Sequence, residues 1–136
     1  MMKTKSVLII EDDELLREIY ATKLTMEGYD VDTAVDGLEG LKKATSTEPD
    51  MILLDMIMPR MTGLEFLKAY RLLTRHPKVK ALVMSNKSST SEINQVKTMG
   101  VLEYLIKSQH TPQEIAERVR NHLEGKQPRE AGTGPA

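Results

Sequence analysis

Carboxylate, hydroxyl and ammonium side chains stand where short apolar runs of this sequence end, and their types suit phosphoryl transfer to a carboxylate. Glu11, Asp12 and Asp13 follow the run 7–10, Asp55 follows 51–54, Ser85 follows 81–84 and Lys107 follows 104–106. Carboxylates gathered at one place repel each other, and a hard divalent cation relieves that repulsion. Mg²⁺ suits two carboxylates, a carbonyl, waters and a phosphoryl oxygen, and its charge lets an Asp approach an electron-rich phosphoryl donor as a nucleophile. Lys107 can pair with the transferred group, and the Ser85 hydroxyl can donate to another of its oxygens.

Such a set works only if the fold brings these run ends together. The apolar runs 7–10, 31–34, 51–54, 81–84 and 104–106 alternate with longer segments of helical spacing, among them Leu15, Leu16, Ile19 and Leu24, then Ile93, Val96 and Met99. Five strand–helix units follow, and strands that are apolar throughout imply burial on both faces. Helix starts are marked by a cap residue with Glu three places on: Asp36 and Glu39, Thr62 and Glu65, Ser89 and Glu92, Thr111 and Glu114. In such a capping box the cap side chain satisfies a free helix N–H while the Glu reaches back. Pro112 strengthens the last start. Gly28 and Gly100 stand just beyond helical patterns, as terminating glycines do.

The expected fold class is therefore α/β, with right-handed crossovers and helices on both faces of a five-stranded parallel sheet. Ligands in such sheets bind beyond the carboxyl ends of the strands, where the strand order reverses. The second strand ends blandly, at Ala34 and Val35.

Bulk properties narrow the function. The 136 residues match one domain, expected over 1–124, and the Gly-, Pro- and charge-rich stretch 125–136 reads as a flexible tail with no room for an output domain after Leu123. A net charge of -1 gives no whole-molecule attraction to nucleic acid or anionic membrane. The absence of cysteine excludes disulfides, thiolate catalysis and Cys-ligated zinc. No apolar run near the start is long enough for a signal peptide or a span, so the expected location is cytoplasmic. His76, His110 and His122 are scattered, and Met56, Met58 and Met61 read as packing.

Glu11-Asp12, Asp55 with Met58-Pro59 and Gly63, Ser85 and Lys107 resemble the bacterial response-regulator receiver domain of two-component systems, over roughly 6–123. The resemblance implies a doubly wound, flavodoxin-like (βα)5 sheet of strand order 2-1-3-4-5, close to the stand-alone chemotaxis regulators. It implies Asp55 as phosphoacceptor, with Asp12, Asp55 and the Ile57 backbone carbonyl as Mg²⁺ ligands and Glu11 acting on the metal through water. Ser85 resembles the switch hydroxyl and Tyr104 the aromatic switch residue, while Asp13 falls one place beyond the acidic pair and reads as a helix cap. The implied partners are a sensor histidine kinase or phosphotransfer protein and a downstream protein target, with dimerisation on phosphorylation left open. Catalysis would extend only to the chain's own phosphorylation and dephosphorylation. Ser108 replaces the family's usual proline after the lysine. Ile57 occupies a position that tunes hydrolysis, and its bulk is expected to slow attack by water.

Three rivals share parts of this pattern. An Asp-nucleophile phosphatase needs a second Asp two residues after the first, where Ile57 stands. An FMN binder needs a hydroxyl- or Gly-rich loop where Glu11-Asp12-Asp13 stands. A pseudo-receiver would keep the fold without phosphorylation; the complete acidic set opposes it, and Ser108 leaves it open.

Overall fold

A computed structural model describes residues 4–87 and 89–125. Most of the tail expected at 125–136 lies outside them. In chain order the elements are β1 (Ser6–Ile10), α1 (Glu14–Met26), β2 (Asp30–Ala34), α2 (Gly37–Thr47), β3 (Met51–Asp55), α3 (Gly63–Tyr70), a one-turn α4 (Leu72–Arg75), β4 (Lys80–Ser85), α5 (Thr90–Thr98), β5 (Glu103–Ile106) and α6 (Pro112–Leu123). The strands pair in parallel in the order β2-β1-β3-β4-β5. The order reverses between β1 and β3, which puts Glu11 and Asp55 on either side of the crevice.

Both faces of the sheet are covered, which is why β1, β3 and β4 read as continuous apolar runs. On one face Leu8, Ile10, Ile52, Leu54 and Val83 pack with Phe66, Leu67, Tyr70 and Val96 of α3 and α5. On the other, Val7, Ile9, Leu53, Leu82 and Met84 pack with Tyr20, Leu24, Ile115 and Val119 of α1 and α6. Each such side chain contributes about 1.5–3 kcal/mol when fully buried. The edge strand β2 departs from the expected pattern: Asp30 and Asp32 are exposed while Val31 and Thr33 are half-buried. An edge strand has one neighbour and incomplete cover, so alternation returns.

The helix starts bear out the sequence signals with two differences. Thr62 with Glu65 and Thr111 with Glu114 form complete capping boxes. At α2, Asp36 accepts from the Glu39 N–H, but the Glu39 carboxylate accepts from the Val35 N–H instead. At α5, Ser89 accepts from the Glu92 N–H at 3.4 Å, while the Glu92 carboxylate accepts from the Tyr104 hydroxyl. Gly28 and Gly100 take φ of 99° and 98° just past α1 and α5, the left-handed geometry that terminates helices. Arg71 ends α3 in the same region at φ 58° with no glycine to mark it, and the one-turn α4 follows. Glu48 and Arg60 are left-handed as well. Such backbone costs about 1–2 kcal/mol at each side-chain-bearing residue.

Candidate functional site

β1 delivers Glu11 and Asp12 to the crevice. Glu11 is fully buried (0% exposed) and its N–H donates to the Ala34 carbonyl at 3.1 Å, extending the sheet by one bond. Its carboxylate accepts from the Asp13 N–H at 3.1 Å and from Lys107 Nζ at 2.8 Å. Asp12 stays exposed. Asp13 caps α1, accepting from the Leu16 N–H at 3.0 Å. Arg17, one turn into that helix, donates to the Glu11 carbonyl at 2.9 Å and so ties the acidic loop from behind.

Asp55 ends β3 and is 4% exposed. One carboxylate oxygen accepts from the Ile57 N–H at 3.2 Å, and the other lies 3.4 Å from Lys107 Nζ. Glu11, Asp12 and Asp55 each offer an oxygen within 4.8 Å of the others. Burial, reinforced by the Glu11 charge and opposed by Lys107, pushes the Asp55 carboxyl up to about 7. For Lys107, burial works to lower the pKa, but the Glu11 and Asp55 carboxylates outweigh it and raise it. Beneath them burial holds the Tyr20 hydroxyl up at about 12. These oxygens are hard donors around a shared centre, the chemistry that a small divalent cation satisfies.

The cleft above has a volume near 200 Å³ and is lined by Glu11, Asp12, Asp13, Leu16, Asp55, Ile57, Asn86 and Lys107. Lys107 begins a 3₁₀ turn through Gln109 that includes Ser108, and its side chain is 11% exposed. The Ile57 side chain stands at the rim, 51% exposed. Ser85 is not part of the lining. It is buried at the end of β4 with its hydroxyl oxygen accepting the Lys87 N–H at 3.1 Å, a local turn bond. Tyr104 is half-buried on β5. Burial and the Glu92 carboxylate raise its pKa against a smaller lowering by the Ser85 hydroxyl.

The structure thus brings Glu11, Asp12, Asp55, Ile57 and Lys107 together, with Ser85 just behind and Tyr104 beyond it. Two features were missed in the sequence. Arg17 could have been noticed as a cation one turn from Asp13. The bland end of β2 is followed by Asp36, which reaches Arg60 of the loop after β3.

A parallel five-stranded sheet with an acidic cleft at its switch point, reached by a lysine from the end of β5, is the arrangement of a class of α/β domain that accepts phosphoryl groups. Residues 7–120 match the family model of the response regulator receiver domain, and the chain belongs to that family, whose general function is a phosphoryl-accepting aspartate switch. It is 37% identical over 120 residues to a protein-glutamate methylesterase/protein-glutamine glutaminase 1 of Myxococcus xanthus, covering 87% of this chain and 34% of that protein. It is 32% identical over 118 residues to the alkaline phosphatase synthesis transcriptional regulatory protein PhoP of Bacillus subtilis, covering 85% of this chain and 47% of that protein. The chain therefore spans about a third to a half of the length of these relatives. Among solved structures, the Vibrio cholerae chemotaxis protein CheY4 superposes with a TM-score of 0.78 at 30% identity, covering 88% of this chain and 98% of that one. Receiver domains of this family interact with histidine kinases and downstream targets. Among the described residues no helix is long and apolar enough to cross a membrane.

Proposed function

We propose that this chain accepts a phosphoryl group on Asp55 from a phosphohistidine of a sensor kinase or phosphotransfer protein, and signals to a downstream protein by a change of shape. The observation that carries this reading is the buried ammonium of Lys107 held at 2.8 Å from Glu11 and 3.4 Å from Asp55 beside the exposed Asp12. A buried cation between two carboxylates, at a cleft open to solvent, is poised to exchange one of them for an incoming anion.

Asp12, Asp55 and the Ile57 carbonyl are the groups that would hold Mg²⁺, with Glu11 acting through water. When bound, Mg²⁺ supplies the positive charge that lets an ionised carboxylate and a phosphoryl group occupy one cleft. An Asp55 oxygen forms the new bond to phosphorus as the bond from phosphorus to the donor nitrogen breaks. Lys107 then pairs with the phosphoryl oxygens, and the Ser85 hydroxyl donates its hydrogen to another. The product carries about -1.5 to -2 charges, and the contacts it makes shift the equilibrium of the α5–β5–α6 face, where Tyr104 lies. Ile57 at the rim shields the acylphosphate from water. The chain acts on itself alone and turns over no separate substrate.

Incubation with acetyl phosphate and Mg²⁺, followed by intact mass, tests the reading. One phosphoryl group should be gained by the wild type and none by Asp55→Asn or without Mg²⁺. A folded wild type that gains nothing refutes it.

A further inference from the structure

The strand end that carries no cleft residue, that of β2, is joined to the site by an ion pair. Asp36 is buried, its side chain 7% exposed, and one of its oxygens accepts the Glu39 N–H at 2.9 Å to cap α2. The second oxygen lies 2.9 Å from Nε of Arg60. Arg60 sits midway in the segment joining Asp55 to α3, and it holds a left-handed backbone at φ 68°. A residue with a side chain persists in that conformation when its surroundings over-determine it, and such strain gathers at functional loops.

Neighbouring contacts fix the same segment. A Cβ on Gly37, the first residue of α2, would lie 2.7 Å from the Met61 carbonyl oxygen, so helix and loop touch at backbone distance. The Met61 N–H donates to the Pro59 carbonyl at 2.7 Å, and the Gly63 N–H donates to the Met56 carbonyl at 2.9 Å, closing the loop on itself. The open side of the loop is its first half, where Ile57 stands half-exposed over the cleft. With its far half tethered through Arg60 to a buried carboxylate, the loop has little freedom to turn the Ile57 carbonyl away. The rest of the Arg60 side chain is open to solvent, 67% exposed, so the pair supplies an anchor and little burial.

We infer that Asp36 and Arg60 are positioning residues that set the Mg²⁺ affinity of the site by holding the β3–α3 loop, and with it the Ile57 carbonyl. The inference rests on the reading of that carbonyl as a metal ligand. Partners that orient a ligand without touching the metal commonly change affinity by an order of magnitude when removed.

Three variants separate this role from a structural one. Asp36→Asn keeps a good helix cap and loses the charge. Arg60→Gly removes the anchor while relieving the left-handed strain, and Arg60→Lys retains a cation. Titration calorimetry with MgCl₂ alone should give a dissociation constant raised about ten-fold in Asp36→Asn and in Arg60→Gly, with the double variant no worse than either. Arg60→Lys should recover part of the loss, and the melting temperature of Arg60→Gly without metal should match or exceed the wild type. Unchanged Mg²⁺ constants in both single variants overturn the inference. If the variants bind Mg²⁺ more weakly while the wild type takes no phosphoryl group, the positioning role stands and the proposed function falls. A wild type that binds no Mg²⁺ overturns both.

Discussion

The hydroxyl of Tyr104 donates to the Glu92 carboxylate at 2.6 Å, with the Lys87 carbonyl oxygen 3.1 Å away. The bond joins β5 to the first turn of α5 and draws Glu92 from the reciprocal cap that its spacing from Ser89 promises. A hydrogen bond to a charged group contributes about 1.5–3 kcal/mol when shielded, and less where it is half-exposed. Glu92→Gln and Tyr104→Phe should each cost about 1 kcal/mol in urea melts, and the double variant should cost scarcely more than either. Amide exchange at Asn86 and Lys87 should quicken in both. Fully additive losses would show that the two residues act separately.

Asp55 should make the metal-free protein less stable as pH rises. Its folded value of about 7 lies above the ordinary carboxylate value, so the folded state binds the proton more tightly between about pH 4 and 7. Over that window the unfolded state holds fewer protons, and stability falls with rising pH. Asp55→Asn removes this slope. Without divalent metal it should exceed the wild type by about 2 kcal/mol at pH 8 and converge with it towards pH 4. Added Mg²⁺ should stabilise the wild type at pH 8 and leave Asp55→Asn almost unmoved, readable as the shift in melting temperature.

Glu103 has the opposite sign. Burial alone would raise its pKa, but hydrogen bonds from Arg118 and His122, the latter at 2.6 Å, hold it below the usual carboxylate value. A lowered carboxyl contributes stability that is present above its unfolded value and lost as pH falls through the folded one. Glu103→Gln should therefore cost about 1–2 kcal/mol at pH 7, and less at about pH 3, below the ordinary carboxylate value. Chemical melts at the two pH values measure it, and an equal cost at both would contradict the assignment.

Gly63 lies where no side chain fits. A Cβ there would stand 2.7 Å from the Met56 Cα and 2.9 Å from the Asp55 carbonyl oxygen, and neither is a flexible group that can yield. Gly63→Ala should destabilise the fold by about 1–3 kcal/mol. By displacing the backbone after Asp55 it should also slow phosphoryl uptake from acetyl phosphate by an order of magnitude or more. An uptake rate equal to the wild type in the folded variant would show that the loop tolerates the shift.

The sheet was legible because β1, β3 and β4 are buried on both faces, so each reads as an uninterrupted apolar run ending in a change of residue type. Glu11, Asp12 and Asp55 were legible for the same reason, standing beside the ends of such runs, whereas Lys107 follows the short, half-buried outer strand β5 and was legible as a charge placed directly after an apolar stretch. The sequence could not show that Asp36 serves two elements at once, because a cap at i to i+3 explains the residue completely and Arg60 is far from it in the chain. Glu92 was similarly absorbed by its local spacing from Ser89, and only the tertiary approach of Tyr104 redirects it. Arg71 gave no warning of a helix end, since the left-handed turn there uses no glycine. Ser85 was placed correctly at its strand end, but its depth behind the cleft depends on how the next turn folds back onto its hydroxyl.

The exposed pair on β2 bears on how this sheet meets other chains. An outer strand offers unpaired N–H and C=O groups to any extended segment that comes alongside, the usual beginning of aggregation. Here that segment would have to settle beside Asp30 and Asp32, the latter held at 3.1 Å by Lys43. Crowding these charges in a growing sheet costs desolvation that main-chain bonds do not readily repay. The border that lends no side chain to the cleft thus carries the charges that oppose the addition of a further strand.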